Sequence, residues 1–141
     1  MGEKKPKLGG GFILLRPEDD ALLALIREDG LYDLPKGRAE PSETYLQAAI
    51  RECFEECSIL VDEQEVLNIG PFTNGSLVLY VAETEGIPQI LPHKKTGILE
   101  HAGYKWVDVD QFCDNTLEYL IPLLREADLE IEKLKHYTSS T

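Results

Sequence analysis

The chain is predicted to be an α/β protein in which one sheet carries helices on both faces. Three observations lead there. Short apolar runs separated by turn residues fill the first third of the chain. One amphipathic helix then occupies residues 44–57. Further strand-like runs lead into a helical C-terminus.

Residues 1–8 form a polar, lysine-bearing tail that should be mobile. Gly9-Gly10-Gly11 either lets the backbone approach a neighbour closely or is a plain connector; without phosphate-loop spacing the connector is the ordinary expectation. Residues 12–15 are a short apolar strand, residues 16–20 a turn, and residues 21–26 its hairpin partner. A turn at 27–30 leads to a third strand at 31–34. Pro41 fits a loop entering a helix, and Thr44 with Gln47 forms a capping box that should start the helix there. Leu46, Ala49, Ile50, Cys53 and Cys57 recur at helical spacing and define its buried face.

After the helix, residues 59–61 and 66–69 read as strand segments around a turn at Asp62-Glu63. Residues 71–75 read as a loop with Phe72 exposed or half-buried. Residues 76–82 are the strongest strand, rich in Val, Leu and Tyr. A loop with two prolines covers 83–92, and 93–97 is a small basic turn whose Lys94 and Lys95 read as plain surface. Residues 99–107 should be a strand with Tyr104 and Trp106 on one side. Asp108 can cap a short helix through Cys113, and Asn115 with Glu118 offers a second cap. Leu117, Leu120, Ile121, Leu124 and Ile131 mark the last helix, which Pro122 either kinks or starts. Residues 137–141 read as a frayed tail. No internal repeat is visible.

A length of 141 residues suits a single domain spanning 1–141, with room for one core. No apolar run approaches the length of a membrane span, and the N-terminus lacks the apolar segment of a secretory signal. Cys53 and Cys57 fall on the core face, and no further soft ligands stand at zinc spacing, so a reducing, cytoplasmic location is expected. The net charge of −12 argues against general nucleic-acid binding, where a basic face supplies most of the affinity. It leaves room for an anionic small molecule, because a bound cation and a few local lysines can dominate a site. Nothing in the pattern specifies an oligomeric state.

The chemistry concentrates on one helical turn. Glu52, Glu55 and Glu56 stand at i, i+3 and i+4 and project roughly 140° from the apolar face, at about 100° per residue. Crowded carboxylates repel by a few tenths of a kcal/mol per pair, roughly. A divalent cation would remove that cost, and hard oxygen donors suit Mg²⁺. Three glutamates alone are more often a solvated surface, so the surrounding spacing decides. Gly37, five residues, Glu43, seven residues, then Arg51-Glu52-Cys53-Phe54-Glu55-Glu56-Cys57-Ser58-Ile59 resembles the signature box of the Nudix hydrolases. Every charged position of that box is matched. Ser58 stands where the family has glycine, and Cys53 replaces the usual aliphatic residue. The family's glycine ends the helix in a left-handed conformation that serine adopts at a cost of about 1 kcal/mol, so this departure bears on the helix end and not on the metal ligands.

The resemblance implies an α/β/α sandwich with a central mixed sheet, a bound Mg²⁺ or Mn²⁺, and hydrolysis of a phosphoanhydride in a nucleoside diphosphate linked to another group. By matched position it implies Glu52 and Glu56 as metal ligands, Glu55 on a second metal or a metal-held water, and the Gly37 carbonyl as a further ligand. Arg51 and Glu43 would pair to hold the loop against the helix; otherwise they are a surface ion pair worth little. Glu100 is the candidate general base, with a solvated strand-edge Glu as the alternative. His101 is either a proton shuttle, a substrate contact or structural. Lys36 and Arg38 flank the metal loop and could hold phosphate. Pro35-Lys36-Gly37 and Glu100-His101-Ala102-Gly103-Tyr104-Lys105-Trp106 look like the diadenosine tetraphosphate hydrolase branch. Tyr80, Phe72 or Tyr32 could stack on adenine, and Tyr104 is a further substrate candidate, although strand aromatics are more often core. The competing readings are a pyrophosphatase for ADP-ribose, a modified nucleoside triphosphate or an RNA 5′ end, and a non-catalytic nucleotide-sensing module.

Overall fold

Continuous apolar runs buried on both faces build the centre of the sheet, and residues 8–139 are described by a computed structural model. The elements are β1 (Gly9–Leu15), β2 (Leu22–Ile26), β3 (Tyr32–Asp33), β4 (Lys36–Arg38), α1 (Tyr45–Cys57), β5 (Phe72–Thr73), β6 (Leu77–Glu83), β7 (Gly103–Val107), α2 (Val109–Asp114) and α3 (Ile121–Ser139). Single 3₁₀ turns lie at Glu63–Glu65 and Glu118–Leu120. The sheet runs β3-β2-β1-β6-β5, with β4 also pairing β1 and β7 pairing β2. It is mixed: β1 and β6 are parallel from Gly9↔Leu77 to Leu15↔Glu83, and the other pairs are antiparallel.

Alternation along β1 divides the core into two layers. Phe12 and Leu14 meet Leu23, Leu25, Ala49, Cys53 and Cys57 under α1. Ile13 and Leu15 meet Phe112, Leu120, Leu123 and Leu124 from the α2–α3 side. The expected α/β/α sandwich is therefore what forms. Among the described residues no helix is long and apolar enough to cross a membrane.

Several local expectations are corrected. Gly9-Gly10-Gly11 is no connector; it is the buried start of β1. A Cβ on Gly9 would lie 2.2 Å from the Gly37 carbonyl oxygen, and one on Gly10 would lie 2.1 Å from that of Tyr45. Close backbone approach, not flexibility, is what these glycines supply. The loop at Lys36–Arg38 pairs with that strand as β4. The strands expected at 59–61 and 66–69 do not form. Asp62 caps the 3₁₀ turn with its side chain instead, and Val66 makes only an isolated bridge to Ala82. Phe72 is buried in β5, because that short strand seats it on the α3 side. Residues 99–102 precede β7 as loop. Asn115 and Glu118 do not cap the last helix: the Asn115 side chain donates to the Gln111 carbonyl, and Pro122 sits at the second position of α3, where its missing N–H costs nothing. Tyr137 to Ser139 continue α3, and the tails at 1–7 and 140–141 lie outside the described residues.

Gly10→Ala should destabilise the protein by roughly 1–3 kcal/mol in urea unfolding, because backbone must move. Gly103→Ala, with nothing within 4 Å of its added carbon, should change stability by less than about 0.5 kcal/mol.

Candidate active site

The loop 34–44 and helix α1 are locked together by one arginine. Thr44 caps α1 as the spacing predicts: its hydroxyl accepts from the Gln47 N–H, and the Gln47 side chain accepts from the Thr44 N–H. At the other end Ser58 takes φ 62°, ψ 21°. Its N–H donates to the Phe54 carbonyl, and its hydroxyl donates to the Gln89 carbonyl at 2.9 Å, which offsets the left-handed strain. Between these ends Arg51 grips Glu43 in a fork, Nε to Oε2 at 2.7 Å and Nη2 to Oε1 at 2.9 Å. It also donates to Glu52 at 2.8 Å, to Glu55 at 3.3 Å and to the Arg38 carbonyl at 3.0 Å. That bidentate pairing holds Glu43 below the usual carboxylate range and raises Arg51.

Glu52 and Glu56 face β4. A Cβ on Gly37 would lie 2.1 Å from the Glu52 carboxyl carbon, so glycine is needed for the carboxylate to lie there. Glu56 accepts from the Lys36 backbone N–H at 3.0 Å. Burial, then repulsion from Glu52, pushes the Glu56 carboxyl well above its ordinary range; burial also raises Glu52.

Two further groups face this turn. Asp33 is 7% exposed and carries the Lys36 ammonium at 3.3 Å. Burial opposes its charge, but the His101 side chain, Lys36 and the Leu34 N–H outweigh burial and lower its pKa. Burial likewise opposes the Lys36 charge, and Asp33 leads the groups that raise it. Glu100 is exposed, His101 is buried, and one ligand atom from each of Glu56, Glu100 and His101 lies within 4.8 Å of the others. The carboxylates of the turn are hard donors at helical spacing, so the residues present fit a divalent cation.

The structure thus brings Lys36, Gly37, Glu43, Arg51, Glu52, Glu55, Glu56 and Glu100 into one neighbourhood. Arg38 is exposed and lines a cleft of ≈ 270 Å³ with Gly9, Lys36, Ser76 and Tyr119. Tyr80 stands elsewhere: its ring packs on Phe12 at 6.1 Å. Tyr104 lines a separate cavity with Arg16, Glu18 and Trp106. Phe72 and Tyr32 are core side chains, Tyr32 packed on Phe112, so neither is open to stack on a base. Sequence reasoning missed Asp33 and Tyr119. A lone acid between Tyr32 and Leu34 in an apolar strand was the available signal for Asp33. Nothing local marked Tyr119, whose ring lies 5.9 Å from the Lys36 ammonium.

A family model for the NUDIX domain matches residues 6–128. The chain belongs to the NUDIX family. A curated relative, a putative 8-oxo-dGTP diphosphatase of Bacillus subtilis (strain 168), is 30% identical over 99 residues, covering 59% of this chain and 66% of that protein, just under two thirds of its length. Among solved structures, a C. elegans Ap4A hydrolase binary complex superposes with a TM-score of 0.65 at 20% identity, covering 88% of this chain and 98% of that one. The NUDIX domain of Shewanella oneidensis NrtR, complexed with ADP ribose, superposes with a TM-score of 0.59 at 20% identity, covering 89% and 90%. At these identities the superpositions show a shared NUDIX fold.

The raised carboxyls have a signed consequence for metal-free protein. Folded values above the unfolded ones mean no penalty below the ordinary carboxyl range and a growing loss of stability as pH rises through the raised values. Glu56→Gln should therefore raise the metal-free melting temperature more at pH 8 than at pH 5. Equal shifts at both pH values would contradict the charged, buried placement of Glu56.

Proposed function

We propose that the chain is a divalent-metal-dependent hydrolase of phosphoanhydride bonds in nucleoside diphosphates linked to another group, with dinucleoside polyphosphates such as diadenosine tetraphosphate as its preferred class. The observation that carries this is Glu56 held beside Glu52 by the Lys36 N–H, with Gly37 packed against Glu52. Bridging phosphates repel an attacking hydroxide, so the site must supply positive charge and fixed geometry.

Glu52, Glu56 and the Gly37 carbonyl would hold Mg²⁺ or Mn²⁺, with Glu55 on a second ion or its water. A bound cation would neutralise phosphate charge and lower the pKa of its water. Arg51, anchored by Glu43, keeps Glu52 and Glu55 oriented. Glu100, exposed at the mouth beside Glu56, accepts the proton of the attacking water at its carboxylate. Lys36 and Arg38 meet phosphate oxygens from the adjoining cleft. Tyr119, 41% exposed beside Lys36, supports a nucleotide bound across that cleft. The free cysteines, all buried, support a reducing compartment such as the cytosol.

A second reading, hydrolysis of a modified nucleoside triphosphate, is favoured by the name of the Bacillus relative. ADP-ribose and RNA 5′ ends are further alternatives, and a non-catalytic sensor is the alternative of a different kind. Incubating the protein with each substrate, with and without Mg²⁺, separates them. ATP plus AMP from diadenosine tetraphosphate is the expected outcome. Turnover of only a modified triphosphate would favour the second reading, and nucleotide binding without turnover would favour the sensor. Glu56→Gln should lower turnover at least about a hundredfold in a protein with unchanged circular dichroism, as loss of a metal ligand implies. Wild-type rates in that variant would contradict the ligand assignment.

A further inference from the structure

We propose that His101 supplies a nitrogen ligand to the ion held by the acidic turn, so that this site selects transition ions such as Mn²⁺ or Co²⁺ over Mg²⁺. The inference rests on the metal site proposed above and adds a donor of different chemistry to its carboxylates.

His101 sits in the loop immediately before β7 and is only 6% exposed. Its Nδ1 is buried and has no hydrogen-bond partner among the described residues. A buried polar atom left unpaired costs stability, and such orphans call for a partner. On the other side of the ring, Nε2 lies 3.9 Å from Asp33 Oδ2. That separation is longer than a hydrogen bond, but a carboxylate on this side favours the proton on Nε2 and so leaves the Nδ1 lone pair to bind an ion. Carboxylate, imidazole and metal in series is the usual way a protein orients a histidine ligand. Asp33 is itself held by Lys36 and by the Leu34 N–H, which fixes the carboxylate that faces the ring.

A ring nitrogen of His101 and a carboxylate oxygen of Glu56 lie within 4.8 Å of each other. Two donors at about 2.0–2.3 Å from a shared ion stand at most about 4.6 Å apart, and closer when they are neighbours around it, so the pair must close on binding. A buried structural histidine usually finds partners for its ring nitrogens, whereas His101 lines the pocket that Glu52, Glu55 and Glu56 also line, within reach of an ion seated there. His93 lines the same pocket, but its Nδ1 already accepts the Lys95 N–H at 3.1 Å. Imidazole suits transition ions, whereas Mg²⁺ prefers oxygen, so a mixed donor set shifts selectivity.

Electron spin echo envelope modulation of the full chain loaded with Mn²⁺ reads nitrogen coordination without any turnover. The wild type should show histidine nitrogen coupling, and the coupling should change frequency when the protein is grown on ¹⁵N-histidine. His101→Gln should abolish it and weaken Mn²⁺ binding by calorimetry at least about tenfold, with Mg²⁺ affinity affected less. Mn²⁺ bound without nitrogen coupling would overturn this proposal and leave the hydrolase reading intact. Coupling that persists in His101→Gln would overturn it too, by assigning the nitrogen to another histidine. Failure of the wild type to bind Mn²⁺ would overturn both. If His101→Gln does not fold, the isotope-labelled wild-type spectrum still decides whether a histidine binds.

Discussion

Mutual repulsion among the carboxylates on one turn of α1 is the constraint around which the molecule is built. Glu52, Glu55 and Glu56 share that turn, and Asp33 comes close enough to raise Glu56 further. Arg51 answers part of the charge by donating to Glu52 and Glu55, and it spends its best geometry on Glu43. Lys36 is committed to Asp33. Among the described residues Glu56 hydrogen-bonds only a backbone N–H, and burial pushes its carboxyl upward against the pull of the nearby Lys36 charge. Charges restrained but not neutralised are what a preformed cation site requires, since the reorganisation is completed during folding rather than on binding.

Backbone proximity makes the arrangement possible. β4 lies against the first residues of β1, and α1 crosses them so closely that Gly9, Gly10 and Gly37 admit no side chain. Removing three Cβ atoms brings helix, strand and loop within reach of a single arginine. Below this layer Ala49, Cys53 and Cys57 give α1 a flat underside against Phe12 and Leu14. Small residues at these positions suit that close seat, and the layer needs no bulkier aliphatic where Cys53 stands.

Legibility in the sequence tracked how local each determinant is. The capping box at Thr44, the αL end at Ser58 and the carboxylate spacing are set within a few residues, and all three stand as expected. The strands expected at residues 12–15 and 21–26 are legible as short apolar runs bounded by turn residues, and they form within Gly9–Leu15 and as Leu22–Ile26. What escaped depends on partners distant in the chain. Gly9-Gly10-Gly11 reads as a connector until β4 and β6 are laid beside it. Residues 59–61 and 66–69 are apolar enough for strands, yet Asp62 diverts the backbone into a capped turn. Phe72 and Tyr32 looked available because the helices α3 and α2 that bury them are distant in the chain. Tyr119 and Asp33 reach the site only through tertiary placement of Lys36.

The central claim is that the acidic turn cradles a divalent cation. Anomalous diffraction from crystals of the full chain grown with Mn²⁺ tests it most directly. The account predicts a peak within about 2.0–2.6 Å of carboxylate oxygens of Glu52 and Glu56. A well-ordered Mn²⁺ bound elsewhere, with those oxygens still held only by Arg51 and the Lys36 N–H, would contradict it.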